Sequence, residues 1–259
     1  MSRDSTAKVL TVAFLLCLIC SILVSAAAVG LSSRQEQNKI QEKRKNILQA
    51  AGLYEEGRPI NEQFDKIQPR LVDLQQDAFS RDFDPTTFDS RAAARDPETR
   101  YRIPPERDLA SIKSRSRYKV VYLMMDNDDN LQQLILPVHG KGLWSTMYGF
   151  IALADDLSTI NGFAFYEHGE TPGLGGEIDN PSWKNQWPGK KVYGPSGETR
   201  IDVLKGTVDE DSANAVYQVD GLAGATLTAR GVENLLRYWM GEDGYKPFLE
   251  KLKEEGVKP

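Results

Sequence analysis

The sequence predicts an α+β fold, in which one apolar N-terminal helix precedes a soluble domain with a mainly antiparallel sheet flanked by helices. Three observations support it. An uncharged run of 23 residues, Val9–Leu31, lies near the N-terminus. Six short apolar or β-branched runs follow from Tyr118 onward, and a helical apolar pattern closes the chain. Strands that are followed by a helix, without strand–helix alternation, are typical of an α+β domain rather than a doubly wound sheet.

The composition excludes several classes of protein. The chain has 259 residues, of which 27% are charged and 40% hydrophobic, and this suits one or two globular domains. Its formal net charge of -5 argues against general nucleic-acid binding, which needs a basic face. The two histidines, His139 and His168, and the two cysteines, Cys17 and Cys20, lack the spacing of a zinc site. We expect no metal and interpret the histidines as loop residues with structural hydrogen bonds.

The run Val9–Leu31 predicts a membrane helix, because about 20 apolar residues at 1.5 Å per residue span the hydrocarbon core of a bilayer. A cleaved signal peptide is the alternative, since Ala26–Ala28 resembles a small-residue cleavage site. The length of the run favours a retained anchor. Cys17 and Cys20 then serve as small apolar residues of this helix.

More basic residues follow the span than precede it, and this distribution favours a cytoplasmic location for the domain that follows. The residues before the span are Arg3 and Lys8, and those after it are Arg34, Lys39, Lys43, Arg44 and Lys45. A single anchor with a large domain behind it often disobeys such a count.

The region between the span and Tyr118 predicts few regular elements. Residues 35–53 are typical of a polar helix with a thin apolar stripe that stops at Gly52. "NEQFDKI" predicts a short helix, and "RLVDLQ" alternates as a strand does. Residues 81–117 are charged and proline-rich, which predicts a long surface loop or a surface that contacts a partner protein. We therefore divide the chain into an N-terminal tail (1–8), a membrane helix (9–31), a connecting region (32–117) and a domain (118–259).

The domain predicts six strands and one long helix. The strand runs are "YKVVYLMM", "LQQLILPV", "YGFIALA", "INGFAFYEH", "RIDVLKG" and "AVYQVDG". In "GVENLLRYWM", apolar residues recur with the spacing of one helix face, and Gly241 follows the expected end.

Three glycine-rich stretches predict a ligand site in this domain. In "DGLAGATLTARGV" (220–232), Gly224 and Ala225 leave room before a helix, and either Thr226 or Thr228 could cap it. No lysine follows as in a P-loop. "HGETPGLGGEI" (168–178) places Pro172-Gly173 in a turn, and "HGKGLWSTMYG" places Trp144 behind two glycines. Such loops bring backbone N–H groups close to a flat ligand.

The segment "DGLAGAT" resembles the flavinylation motif of the FMN-binding domain family. Together with "HGETPGLGG", "GKGLW" and a single N-terminal anchor, it makes the whole chain resemble the C subunit family of the ion-translocating NADH:quinone oxidoreductases. The sister family, the G subunit of the Rnf electron-transport complexes, is an alternative with the same architecture. A membrane-anchored, non-redox periplasmic binding module is an alternative of a different class.

The resemblance implies a role for each site residue. Thr226 would carry FMN through a phosphoester, with the neighbouring Thr228 as the alternative acceptor, and a flavin transferase would read Asp220, Gly224 and Ala225. Trp144 and Leu174 would pack on the isoalloxazine, with Glu170, Thr171 and Gly175 near its polar edge. Lys205 would supply a positive charge near the flavin or its phosphate. Ala223 departs from the family, which usually has Ser or Thr there.

The resemblance also implies the partners and the location. The chain would relay electrons from NADH-derived flavin and iron–sulfur centres toward quinone, through the FMN of the membrane-embedded B subunit, in a complex that translocates ions. It would have a single span in a bacterial inner membrane, with residues 1–8 as a cytoplasmic tail and the domain on the periplasmic side, against the count of basic residues. Electron transfer needs no acid–base pair, so no catalytic side chain is expected.

Overall fold

The computed structural model describes residues 6–257. Residues 1–5 of the predicted tail and the last two residues of the predicted domain lie outside this range. The chain divides between Lys43 and Arg44 into two compact units.

The structure contains six α-helices and ten β-strands in residues 6–257. The helices are α1 (Thr6–Ala50), α2 (Ile60–Phe64), α3 (Ser90–Ala93), α4 (Pro181–Lys184), α5 (Thr226–Trp239) and α6 (Lys246–Glu255). The strands are β1 (Ile67–Asp73), β2 (Ala78–Ser80), β3 (Arg100–Arg102), β4 (Ser114–Ser116), β5 (Tyr118–Met125), β6 (Leu131–Lys141), β7 (Thr146–Ala154), β8 (Ile160–Glu167), β9 (Asp202–Val203) and β10 (Gln218–Val219). Short 3₁₀ segments occupy Gly175–Asp179 and Ala215–Tyr217.

Helix α1 contains both the predicted span and the predicted polar helix, which run on without a break. Within residues 6–257 one helix is apolar and long enough to cross a membrane, with a mean hydropathy of 2.8 over Lys8–Ser32. The helix ends where predicted, because Gly52 adopts a left-handed φ of 68°. There the amide of Leu53 donates to the carbonyl of Leu48 at 2.8 Å.

The main sheet has six strands in the order β2-β1-β5-β6-β7-β8, and all of its pairs are antiparallel. This confirms the predicted α+β class and its mainly antiparallel sheet. Strands β1 and β2 come from the region that we interpreted as a connection, so the compact unit begins at Arg44 rather than at Tyr118. In residues 81–117, Ala93, Ile103 and Ala110 are buried, which makes part of the predicted loop a piece of the core.

Alternate residues of the strands face two separate cores. On one face, Val121 and Leu136 belong to a large cluster that includes Val232 and Leu236 of α5. On the other face, Tyr122 and Ile135 pack in a smaller cluster with the last turns of α1. The sheet thus lies between helices, and α5 is fixed on the face that carries the larger core.

The last turn of α5 is fixed where β5 and β6 separate. The pairing of β5 with β6 extends only from Tyr122 and Ile135 to Met125 and Leu131. Carbonyl groups of β6 after Ile135 therefore need hydrogen-bond donors other than β5. Trp239 Nε1 donates to the carbonyl of His139 at 2.7 Å, and the Tyr245 hydroxyl donates to that of Pro137 at 2.8 Å. His139 therefore lies in a strand and not in a loop, stacked on Tyr148.

A buried lysine lies beside this junction. Lys119 of β5 is 4% exposed, and its Nζ is 4.7 Å from the centroid of a Trp239 ring. Burial first, and then the charges of Arg115 and Arg91, lower the pKa of Lys119 to about 7. The unfolded chain keeps a lysine pKa of about 10.5, so folding is penalised fully below pH 7 and progressively less as the pH rises toward 10.

Lys119→Met should stabilise the protein at neutral pH, because it removes the cost of burying a charge that corresponds to about 1.4 kcal/mol for each pKa unit. The free energy of unfolding of the full-length protein in detergent, measured between pH 7 and 9, should be higher for this variant and should rise less with pH. Lys253→Met, at an exposed position of α6, is the control. A variant less stable than the parent at pH 7 would contradict this account.

Candidate functional site

Helix α5 begins at Thr226 with Ala225 as its N-cap, and no side chain among residues 6–257 caps it. The predicted cap by Thr226 or Thr228 is therefore wrong. Thr226 is exposed at the first helical position, whereas Thr228 is buried, with 1% of its surface accessible. The first amides of a helix have no intrahelical acceptor and carry partial positive charge. We call residues 225–228 the open helix start; it can receive an anion.

The approach to the open helix start is free of bulk. Gly224 has a left-handed φ of 70°, which few other residues adopt without strain. A Cβ at this position would lie 3.1 Å from Leu174 Cδ2, so the second predicted loop passes close to the first. Ala223 and Gly224 are exposed, and the amide of Ala225 donates to the carbonyl of Leu222 at 3.1 Å.

The loop after β8 contains the turn that its sequence predicts. The carbonyl of Thr171 accepts hydrogen bonds from the amides of Leu174, at 3.1 Å, and Gly176, at 2.9 Å. Gly173 has the positive φ, 76°, that such a turn needs after proline. His168 closes the loop from the other side through a 2.7 Å hydrogen bond between Nε2 and Asp179 Oδ2.

The third loop is the tight turn between β6 and β7, residues 142–145, which we call the tryptophan turn. The amide of Gly142 donates to the carbonyl of Ser145 at 2.8 Å. Two large apolar side chains of this turn are exposed to solvent, Leu143 to 43% and Trp144 to 66%. Such exposure is unusual for tryptophan and indicates a surface that a ligand or a partner covers.

Glu170 joins the three loops from inside the protein. It is 5% exposed, and its Oε1 accepts hydrogen bonds from the amides of Trp144, at 3.0 Å, and Ser145, at 3.3 Å. Its Oε2 accepts from the amide of Leu143 at 3.1 Å and from the Thr228 hydroxyl at 2.6 Å. The carboxylate thus lies behind the tryptophan turn and is shielded from solvent.

The carboxyl group of Glu170 is held in its ionised form. Burial is the largest influence and raises its pKa, but the hydrogen bonds from Thr228 and the three turn amides together outweigh it, and the pKa is lowered. Two glycines make room for the group. A Cβ at Gly142 would lie 2.5 Å from Glu170 Oε1, and one at Gly175 would collide with the Thr228 hydroxyl.

Asp220 organises the segment that leads into α5. Its Oδ1 accepts a hydrogen bond from the amide of Val208 at 2.7 Å, and its carbonyl accepts one from Trp183 Nε1 at 2.9 Å. The backbone of Gly221 packs against that of Leu204. These contacts bring the loop of Lys205 to the start of the motif, with the Lys205 side chain exposed.

Four large apolar side chains of the three loops are exposed, and we call them together the apolar wall. Its members are Leu143, Trp144, Leu174 and Leu227. Leu227 adjoins Thr226 in sequence, and Leu174 adjoins Gly224 in space. The wall and the open helix start therefore fit a ligand that combines a flat apolar ring system with an anionic group.

Sequence reasoning brought the three loops together but missed three features. It did not foresee that Glu170 accepts hydrogen bonds from the tryptophan turn, and it gave no partner to the Thr228 hydroxyl. It also passed over Leu143 and Leu227, which flank predicted site residues and remain exposed. Adjacency to Trp144 and Thr226 could have indicated these two leucines, whereas the Glu170–Thr228 contact spans 58 positions and has no local signal.

Comparison with known families agrees with this geometry. Residues 142–241 match the family described as the FMN-binding domain, and this segment runs from the tryptophan turn to just past α5. The class that the fold and the site define is thus that of FMN-binding domain proteins.

Similar proteins define the family more narrowly. The chain is 49% identical to the C subunit of the Na(+)-translocating NADH-quinone reductase of Pseudomonas aeruginosa, over 98% of both chains. It is 44% identical to the protein of the same name from Vibrio alginolyticus, over 98% of this chain and 97% of the relative. The crystal structure of Shewanella oneidensis NqrC is 34% identical, with a TM-score of 0.76, and matches 86% of this chain and 100% of that one. The chain belongs to the C subunit family of the Na(+)-translocating NADH-quinone reductases.

Gly231→Ala should destabilise the protein, although alanine normally stabilises a helix interior by roughly 1 kcal/mol relative to glycine. A Cβ at this position would lie 2.6 Å from the carbonyl oxygen of Lys141 and 3.2 Å from Gly142 Cα, so α5 would be pushed from the tryptophan turn. Thermal unfolding of the full-length protein should show a lower midpoint. Arg230→Ala, at the exposed neighbouring position, should leave it near the parent value. A higher midpoint for Gly231→Ala would refute the close packing.

Proposed function

We propose that this chain is an electron-transfer subunit of an ion-translocating NADH:quinone reductase and carries FMN in a phosphoester with the Thr226 hydroxyl. One observation carries the proposal: Thr226 is exposed at the first position of the open helix start, next to the apolar wall. The amides there would stabilise the one negative charge that a phosphodiester keeps.

Attachment requires a flavin transferase that uses FAD. The Thr226 oxygen forms a bond to the phosphorus of the FMN moiety, and the pyrophosphate bond of FAD breaks. AMP leaves with the electron pair of that bond, and the hydroxyl proton passes to it or to solvent. Asp220 would give the transferase a fixed segment to read, because its carboxylate and carbonyl are both held in place. Gly224 and Ala225 would let the enzyme approach without collision.

The choice between the two threonines follows from their surroundings. The Thr228 hydroxyl is buried and donates a hydrogen bond to Glu170 Oε2 at 2.6 Å, so it is neither accessible nor free to attack phosphorus. Thr226 lies two positions earlier, on the outside of the same turn. We therefore assign the attachment to Thr226 alone.

The bound group would lie on the apolar wall, with Trp144 and Leu174 packing against the ring system. Thr171, which is exposed, and the backbone of Gly175 would approach its polar edge. Lys205, exposed on the loop that Asp220 holds, would offer a positive charge to the phosphate or the flavin. Ala223 offers no hydroxyl, so the helix amides would bind the phosphate without that additional donor.

FMN, when bound, supplies one-electron redox chemistry, and a covalent tether prevents its loss. The remaining proposals rest on the family. Electrons would arrive from NADH-derived flavin and iron–sulfur centres and leave through the FMN of the B subunit, in a complex that couples their passage to ion translocation. Helix α1 would anchor the chain in the bacterial inner membrane with the domain on the periplasmic side. The same helix has the length and composition of a membrane span.

Thr226→Ala should abolish covalent flavin, because the variant lacks the only accessible acceptor in the motif. The full-length chain is co-expressed with a flavin transferase, and a denaturing gel is examined for flavin fluorescence. Thr226→Ser keeps a hydroxyl at the same position and should retain the signal. A parent chain without fluorescence would refute the covalent carrier, and a fluorescent Thr226→Ala would refute the assignment to Thr226.

A further inference from the structure

The tryptophan turn and α5 are far apart in sequence, yet the flavin site needs both in a fixed relation. The turn carries Trp144 and Leu143, and α5 carries Thr226 and the open helix start. If α5 carries the attachment point and the tryptophan turn carries the residues that pack on the ring system, the distance between these two elements must stay constant.

One side chain spans the gap between them. The Glu170 carboxylate takes three hydrogen bonds from the turn amides and one from Thr228, which lies two residues after the proposed tether. Its two oxygens thus receive four donors from two elements, while its own backbone belongs to a third. Hydrogen bonds to an ionised group are among the stronger ones in proteins.

Two glycines pack closely against the pair. Gly142 and Gly175 lie against Glu170 so closely that a Cβ on either would contact the Glu170 side chain or the Thr228 hydroxyl. The Thr228 side chain is 1% exposed and that of Glu170 is 5% exposed. We therefore expect both groups to act through the backbone that they hold rather than through contact with a ligand.

We propose that Glu170 is a positioning residue that holds the tryptophan turn against α5 through Thr228. Its carboxylate also places a fixed negative charge behind the tryptophan turn, on which the flavin would pack. The proposal rests on the proposed function for its second part alone. A negative charge near the ring system opposes the addition of electrons, so Glu170 keeps the flavin potential lower than a neutral residue would.

The test compares Glu170→Gln, Thr228→Val and Thr228→Ser in the full-length chain in detergent, made without and with a flavin transferase. In the flavin-free protein, hydrogen exchange of the Leu143, Trp144 and Ser145 amides is measured. In the flavinylated protein, the midpoint potential of the flavin is measured by redox titration. Glu177→Gln is the matched control, because this carboxylate lies in the same loop and contacts Asn180 instead.

Glu170→Gln should accelerate exchange at the turn amides by about 10-fold or more, since a charge-assisted hydrogen bond is lost. It should also shift the midpoint potential in the positive direction. Thr228→Val should accelerate exchange at the same amides although it lies on another element, and Thr228→Ser should restore protection. Glu177→Gln should match the parent in both measurements.

Parental exchange and potential in Glu170→Gln would overturn the inference. If that variant does not fold, the Thr228 pair decides: parental exchange in Thr228→Val overturns it, and acceleration that serine reverses supports it. A parent chain without covalent flavin would instead refute the proposed function, and the exchange measurement on the flavin-free protein would still decide the role of Glu170.

Discussion

The hydrogen bond between Glu170 and Thr228 is the contact on which the candidate site depends. It joins the loop after β8 to the first turn of α5, and the same carboxylate accepts hydrogen bonds from the amides of the tryptophan turn. Burial of an ionised carboxyl group is costly unless hydrogen bonds replace the lost water. Here three amides and a hydroxyl do so, and the surrounding loops must keep their shape for the group to remain satisfied.

This arrangement gives the two threonines of the motif different roles. Thr228 faces inward and stabilises the site, whereas Thr226 faces solvent. The helix that carries both is fixed at its other end, where Trp239 and Tyr245 donate to carbonyls of β6. The segment 226–245 is thus fixed at one end to Glu170, which also holds the tryptophan turn, and at the other end to β6.

The sequence predicted the elements with strong local patterns and missed those that depend on distant contacts. The bounds of β5 matched its apolar run, and Gly52 and Pro172-Gly173 ended a helix and formed a turn as expected, because backbone sterics act locally. The start of the domain differed, since β1 joins the sheet only by pairing with β5, which lies beyond the charged region 81–117. The predicted cap of α5 was wrong because the Thr228 hydroxyl donates its hydrogen bond to Glu170 instead. No local sequence pattern indicates a partner that is 58 positions distant.

Mass spectrometry of one tryptic peptide shows whether FMN is attached to Thr226. Trypsin should release residues 206–230, which contain Thr226 and Thr228 and no internal lysine or arginine. In protein co-expressed with a flavin transferase, we expect a peptide heavier by FMN minus water, with fragment ions that place the added mass on Thr226. An unmodified peptide, or added mass on Thr228, would contradict this expectation.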